Sequence, residues 1–226
     1  MMSAPNQRPL WDAWHEQVHG PDAEPVHREF VDAFLAELPH DAGPLLELGC
    51  GQGHDALYVA SHGYFVHALD FSSVAIEQAT RNLRAHPGSD VDFRQHDIAE
   101  ALPFGDGAFD GIFSYLSLHY FDDSTTRSVF REIYRVARSG GVLAFCVKSV
   151  HDPLFGQGTL LGPDMYSLNG HVRHFFDPRY AIGLLDGWEL VHIEERHGRY
   201  LDAATRSVLL QVIARKPASE GVIGAR

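Results

Sequence analysis

Apolar positions along this chain alternate between helical and strand spacing. From Glu24 to Leu38, the residues Val26, Phe30, Val31, Phe34, Leu35 and Leu38 recur at helical intervals, with Pro25 near the start and Pro39 just past the end. Residues 45–48, Leu-Leu-Glu-Leu, follow Pro44 as a short run suited to a strand covered on both faces. His54 to His62 reads as a helix closed by Gly63, and Tyr64 to Asp70 as a second buried strand. Ser72 or Ser73 can cap a helix that runs to about His86 and stops at Pro87-Gly88. Val91–Gln95 alternates as a third strand and Ala108–Ser114 reads as a fourth. A helix from Ser124 or Thr125 to Arg138 is expected to end at Gly140-Gly141, before a fifth strand, Val142–Val147. Asp177-Pro178 starts the last helix, and Trp188–Arg196 and Arg206–Arg215 supply strands six and seven.

This alternation predicts one α/β domain with a doubly wound sheet and helices on both faces. Residues 149–176 break it. An insertion of that length is too long for a plain connection, so it is expected to carry function, and it holds Tyr166, His171, Arg173 and His174.

Candidate chemistry begins after the first strand, where Gly49-Cys50-Gly51-Gln52-Gly53 opens a helix. Glycines permit positive φ and close approach of a ligand to bare backbone, while the helix start presents unpaired N–H groups. A dinucleotide site wants G-x-G-x-x-G, but the spacing here is G-x-G-x-G and His54 stands where the last glycine belongs. Glu47, two residues before the first glycine, would repel phosphates. It suits a cationic nucleoside instead. S-adenosylmethionine, with a sulfonium, an ammonium and no phosphate, fits that requirement. Asp70 lies at the end of the second strand, close to the spacing of about 20 residues expected of an acid that grips ribose hydroxyls.

The stretch ELGCGQG resembles motif I of the class I S-adenosylmethionine-dependent methyltransferases, and the pairing of Leu102-Pro103-Phe104 with Phe109-Asp110 is a further likeness. The resemblance covers residues 40–150 well. It implies a Rossmann-like sheet of seven strands in the order 3-2-1-4-5-7-6, mostly parallel with strand seven antiparallel. It implies S-adenosyl-L-methionine as cofactor, held by Glu47, Gly49, Cys50, Gly51, Gly53, Asp70, Phe71, Asp97, Ile98 and Ser114, with Asp97 at the adenine amino group and Phe71 and Ile98 against the ring. His119 and Tyr120 fall at the sheet's carboxyl edge, where open α/β folds bind ligands. His119 is the candidate general base for a neutral acceptor, and Trp11, Trp14, Tyr115, Tyr120, Lys148, His171 and Arg173 are the candidate acceptor contacts. Trp11 and Trp14 read equally as packing of an N-terminal helix or as a lid. Lys148 reads either as a solvated strand-end charge or as a handle for an anion; a thiolate or carboxylate acceptor would need no base, and Arg173 or Lys148 could then pair with it. The insertion resembles, weakly, the acceptor insert of methyltransferases related to tellurite-resistance enzymes.

The chain has 226 residues with a net charge of −12, which argues against a general nucleic-acid binder. Two cysteines are too few for a disulfide framework, and no apolar run approaches the ~20 residues that span a bilayer, so a cytoplasmic location is expected. His15-Glu16-Gln17-Val18-His19 has HExxH spacing, but Gly20-Pro21 would end the helix at once; no metal is expected. The expected division is a helical lid segment (1–39), the methyltransferase domain (40–216) with its acceptor insertion (149–176), and a disordered tail (217–226).

The expectation is therefore methyl transfer to a small-molecule acceptor. A nicotinamide-dependent oxidoreductase is the first alternative, disfavoured because no tyrosine has a lysine four residues on. A non-catalytic ligand-binding module on the same fold is the second.

Overall fold

The computed structural model describes residues 7–17, 27–199 and 206–218. Seven strands form the central sheet: β1 (Leu45–Leu48), β2 (Val66–Asp70), β3 (Val91–Gln95), β4 (Phe109–Tyr115), β5 (Ala137–Lys148), β9 (Glu189–Arg199) and β10 (Arg206–Arg215). Their order is β3-β2-β1-β4-β5-β10-β9, with β10 alone running antiparallel to the rest and pairing antiparallel with both β5 and β9, as the resemblance implied. Helices α1 (Arg8–Gln17), α2 (Arg28–Ala36), α3 (His54–Ser61), α4 (Ser73–Arg84), α5 (Asp123–Val136) and α6 (Pro178–Gly183) surround it.

Successive strand residues feed opposite cores. On one face Leu46, Leu48, Ile112, Leu143 and Phe145 meet Val129, Phe130 and Ile133 of α5. On the other, Leu45, Phe113, Ala144 and Cys146 meet Phe30, Val31 and Phe34 of α2 and Ala56 and Val59 of α3. Fully burying each large apolar side chain is worth about 1.5–3 kcal/mol. Thus α2 belongs to the core, and of the described N-terminal residues it is α1 that lies over the sheet's carboxyl edge.

Two local expectations are corrected. The cap of α5 is Asp122, whose carboxylate accepts the Thr125 N–H at 2.8 Å, so neither Ser124 nor Thr125 fills that role. The fifth strand starts at Ala137, and Gly140-Gly141 lie inside it. Gly140 has φ 82°, and a Cβ at Gly141 would meet the Arg138 carbonyl at 2.8 Å, so the glycines absorb an irregularity in the β4–β5 register.

The insertion folds as its own antiparallel sheet of β6 (Thr159–Gly162), β7 (Met165–Leu168) and β8 (His171–His174). A bridge from Ser149 to Phe176 ties its two ends together beside the main sheet. Among the described residues no helix is long and apolar enough to cross a membrane. Of the expected tail, residues 219–226 lie outside the described residues, as do residues 18–26 and with them His19 of the HExxH stretch.

Candidate active site

Parallel strands deliver β1, β2 and β4 to one edge, and the glycine turn stands there. Gly49, Gly51 and Gly53 have φ of 74°, 51° and 79°, a region that side-chain-bearing residues rarely occupy. Any Cβ on Gly49 would overlap Ser117, and one on Gly53 would overlap the Phe93 ring. Gly51 faces open space except for the His15 imidazole, 3.4 Å from where its Cβ would be. The Gly49 and Cys50 N–H groups both bond the Leu69 carbonyl, which anchors the turn to β2.

The serines behind the turn anchor it. Ser114 and Ser117 each donate to the Leu48 carbonyl, at 2.9 and 2.7 Å, locking the last residue of β1. Between them Leu116 is held at φ 57°, a left-handed conformation at the end of β4 that costs about 1–3 kcal/mol and clusters at functional sites.

Asp70 accepts the Gly51 N–H with one carboxylate oxygen and the Ser72 N–H with the other, both at 2.9 Å. Each oxygen keeps a lone pair for a vicinal diol. Burial pushes its pKa up to about 6, against the pull of those two N–H groups. Glu47 is buried at the floor of the site with Oε2 unpartnered. Burial first, and then the neighbouring Asp55 and Asp70, hold its pKa well above the usual carboxylate range. A buried acid with an orphaned oxygen beside a bare glycine turn fits a cationic ligand.

The adenine-side candidates are separated by the structure. Asp97 is half-buried and its Oδ1 takes the Ala99 N–H at 3.0 Å. Phe71 is half-buried with the Arg8 guanidinium 5.6 Å from its ring centre, whereas Ile98 belongs to the core beneath. The Cys50 thiol is buried, and burial drives its pKa up.

Helix α1 crosses this edge and is tied on both sides. Its Asp12 accepts the Ser72 hydroxyl, and its His15 carbonyl accepts the Gln78 amide at 2.7 Å, holding it to α4. At the other end Gln7 donates to Gly170 at 3.1 Å and accepts the Val172 N–H at 3.0 Å, joining it to β8. Trp11 lies edge-on to Tyr120 at 4.8 Å and to His171 at 5.3 Å between ring centres. Trp14 packs on Trp11 at 5.7 Å, one step further from the loop.

Beneath this roof lies a group of basic side chains. His119 is fully buried, and neither ring nitrogen has a hydrogen-bond partner. Burial, and then the charges of Lys148 and Arg173, lower its pKa well below that of free imidazole, so the ring is neutral. Lys148 is neither a solvated charge nor an open handle: it is 1% exposed, and its Nζ bonds Asp152 and Ser207 at 2.9 Å each. Arg173 is half-buried, and its Nε is buried without a partner. Tyr115 instead turns toward α2, with its ring stacked on His27 at 3.5 Å. His27 in turn bonds Asp55 at 2.9 Å.

Asp12, Gln7, Ser117 and Asp152 are site-shaping residues that periodicity does not reveal. Only Asp152, four residues beyond Lys148, offers a signal, an acid at short range from a base. Among the described residues no group of three or more His, Cys, Asp or Glu is placed to hold a metal ion.

Comparison with known proteins agrees with this fold. Residues 45–141 match a family described as a methyltransferase domain. The chain is 34% identical over 231 aligned positions to the malonyl-[acyl-carrier protein] O-methyltransferase of Enterobacter lignolyticus, covering 92% of this chain and 86% of that one. Among solved structures, the 1,6-didemethyltoxoflavin-N1-methyltransferase of Burkholderia thailandensis, with bound S-adenosylhomocysteine, superposes with a TM-score of 0.70 at 20% identity, covering 96% of this chain and 92% of that one. TehB from Haemophilus influenzae superposes with a TM-score of 0.64 at 20% identity, covering 84% and 62% respectively. These two likenesses are of fold.

Proposed function

The chain belongs to the class I S-adenosylmethionine-dependent methyltransferases, and from that premise we propose that it methylates an oxygen of its small acceptor, with His119 as the base that takes the acceptor's proton. It is an enzyme whose cofactor is S-adenosyl-L-methionine and whose acceptor is a small molecule. The observation that carries the oxygen reading is the buried, neutral and unpartnered imidazole of His119 under the α1 roof. The name of the Enterobacter relative, an O-methyltransferase, points the same way.

The cofactor supplies a methyl group on a sulfonium, already activated for in-line displacement. The protein's work is to orient, to exclude water and to receive a proton. Asp70 grips the ribose diol with its two free lone pairs, Glu47 faces the cationic end, and Asp97 and Phe71 border the adenine. Gly49, Gly51 and Gly53 let the ligand approach the backbone, while Ser114 and Cys50 support the turn from behind. Trp11, Tyr120 and His171 close the acceptor side, and Trp14 backs Trp11. Because its basicity is depressed, His119 suits an acidic hydroxyl better than an aliphatic alcohol. In these terms Arg8–Gln17 is the lid and residues 149–176 the acceptor insertion. The enzyme works in the cytoplasm, a reading supported by two buried free thiols, Cys50 and Cys146.

The test is methyl transfer by the wild-type protein and His119→Ala, with cofactor affinity measured in parallel. His119→Ala lowers turnover of a hydroxyl acceptor by about 10²–10⁴-fold and leaves S-adenosylhomocysteine binding unchanged; equal turnover removes His119 as the base. His119→Asn, which keeps the volume, guards against a packing defect.

Asp70→Ala weakens S-adenosylhomocysteine binding by about 1–3 kcal/mol, the scale of lost charge-assisted hydrogen bonds, as read by calorimetry. Unchanged affinity takes Asp70 out of the ribose site. A pH signature accompanies it. A carboxyl whose folded pKa is raised contributes stability that is full below its unfolded value near 4 and is lost as pH rises through about 6. In the cofactor-free protein, the stability gap between Asp70→Asn and wild type therefore moves in the variant's favour across that window, as urea titrations at pH 4, 5, 6 and 7 would register.

A further inference from the structure

The acceptor side contains a positive charge with nothing to balance it. Lys148 is neutralised by Asp152, to which it is bonded at 2.9 Å within the fold. His119, His171 and His174 all have pKa values lowered chiefly by burial, so they contribute no charge near neutrality. Arg173 is different, because a guanidinium stays protonated in proteins. Among the described residues no carboxylate lies within ion-pairing distance of it, and its Nε is buried with no acceptor. Its field reaches His119, Lys148 and His171 and depresses the basicity of each.

Its position explains where that charge is directed. Strand β8 puts His171 and Arg173 on one face and the buried Val172 and His174 on the other, by the two-residue period of a strand. Tyr166 stands directly opposite Arg173 in the β7–β8 register. The His171 ring on that same face meets Trp11 of α1, so Arg173 shares its face with the wall of the covered acceptor space.

We propose that Arg173 is the anchor for a carboxylate carried by the acceptor at a position away from the reacting oxygen. The inference rests on the acceptor-side reading above and narrows it to an anionic substrate class. A half-buried guanidinium without a counter-ion is costly to the free protein, and a bound anion removes that cost. The planar fork matches a carboxylate with two parallel N–H···O bonds, which a lysine would not reproduce. Lys148, held by Asp152 and Ser207 within the fold, leaves that role to Arg173.

The test uses the full chain saturated with S-adenosylhomocysteine, with intrinsic tryptophan fluorescence as the readout. Wild type, Arg173→Gln and Arg173→Lys are titrated at constant ionic strength with 4-hydroxybenzoate and with its neutral isostere 4-hydroxybenzamide. Wild type is expected to bind the carboxylate at least about tenfold more tightly than the amide, the scale of one charge-assisted hydrogen bond. Arg173→Gln erases the preference and Arg173→Lys retains only part of it. Absence of a preference in wild type, absence of carboxylate binding up to 10 mM on the order of the weakest specific affinities, or a preference that survives Arg173→Gln each overturns the proposal. The thermal midpoint of the ligand-free Arg173→Gln protein separates anchoring from structure: it stays level or rises if the charge is uncompensated, and it falls if Arg173 holds the fold together, which also overturns the proposal. S-adenosylhomocysteine binding and methyl transfer to neutral phenols report independently on the parent reading. Their failure condemns that reading, whereas their success with loss of the carboxylate preference condemns only the anchor.

Discussion

Asp152→Ala is expected to destabilise the fold by about 3–5 kcal/mol, the cost of breaking a buried ion pair by removing one partner. Asp152 and Lys148 are 3% and 1% exposed, so water is in no position to replace the lost contact. The carboxylate does more than neutralise Lys148. Its Oδ2 also accepts the Val208 N–H at 3.0 Å, and its Oδ1 accepts the Leu154 N–H at 2.9 Å. One side chain thus joins the end of β5, the start of the insertion and β10, and its removal orphans two backbone donors and strips the Lys148 ammonium of its counter-ion. Urea unfolding measures the loss. The deficit has a direction in pH: burial already lowers the Lys148 pKa, and without Asp152 it falls further. A base whose folded pKa is depressed regains stability as it sheds its proton, so the gap to wild type narrows as pH rises. A loss below 1 kcal/mol on the scale of an exposed pair would mean that this bridge is solvated.

Gly49→Ala is expected to abolish measurable cofactor binding. Alanine at φ 74° costs about 1–3 kcal/mol in backbone strain, and its methyl would overlap Ser117 for about 1–3 kcal/mol more. The turn has no slack to absorb this, because the Gly49 N–H is bonded to Leu69 and Ser117 is bonded to Leu48. Calorimetry with S-adenosylhomocysteine, alongside thermal unfolding, reads both consequences. Adding Ser117→Gly relieves the overlap and leaves the backbone strain, so the double variant recovers part of the affinity. Wild-type affinity in Gly49→Ala alone would show that this turn is not the cofactor cradle.

Much of this was legible in the chain because it depends on local period and spacing. Leu45–Leu48, the three glycines and Asp70 declare the first strand, the turn and the second strand's end without tertiary help, and the strand order follows from the resemblance they carry. The capping of α5 by Asp122 was hidden by the neighbouring Asp123, Ser124 and Thr125, each of a type that can cap. Gly140-Gly141 looked like a helix stop because glycine punctuates both helices and bulged strands. The small sheet of the insertion left one clear mark, Asn169-Gly170, whose φ values of 53° and 83° are those of the tight turn between β7 and β8. Its weak alternation masked the rest. The latches of Gln7 on Gly170 and Asp12 on Ser72 join residues far apart in sequence, and a single sequence carries no trace of such pairs.

Those latches bear on the timing of turnover. A helix bonded to α4 on one side and to β8 on the other couples the edge beside the glycine turn to the insertion. Lifting α1 away from the sheet therefore breaks hydrogen bonds at both of its ends, the kind of concerted lid motion that gates many enzymes on the microsecond-to-millisecond scale.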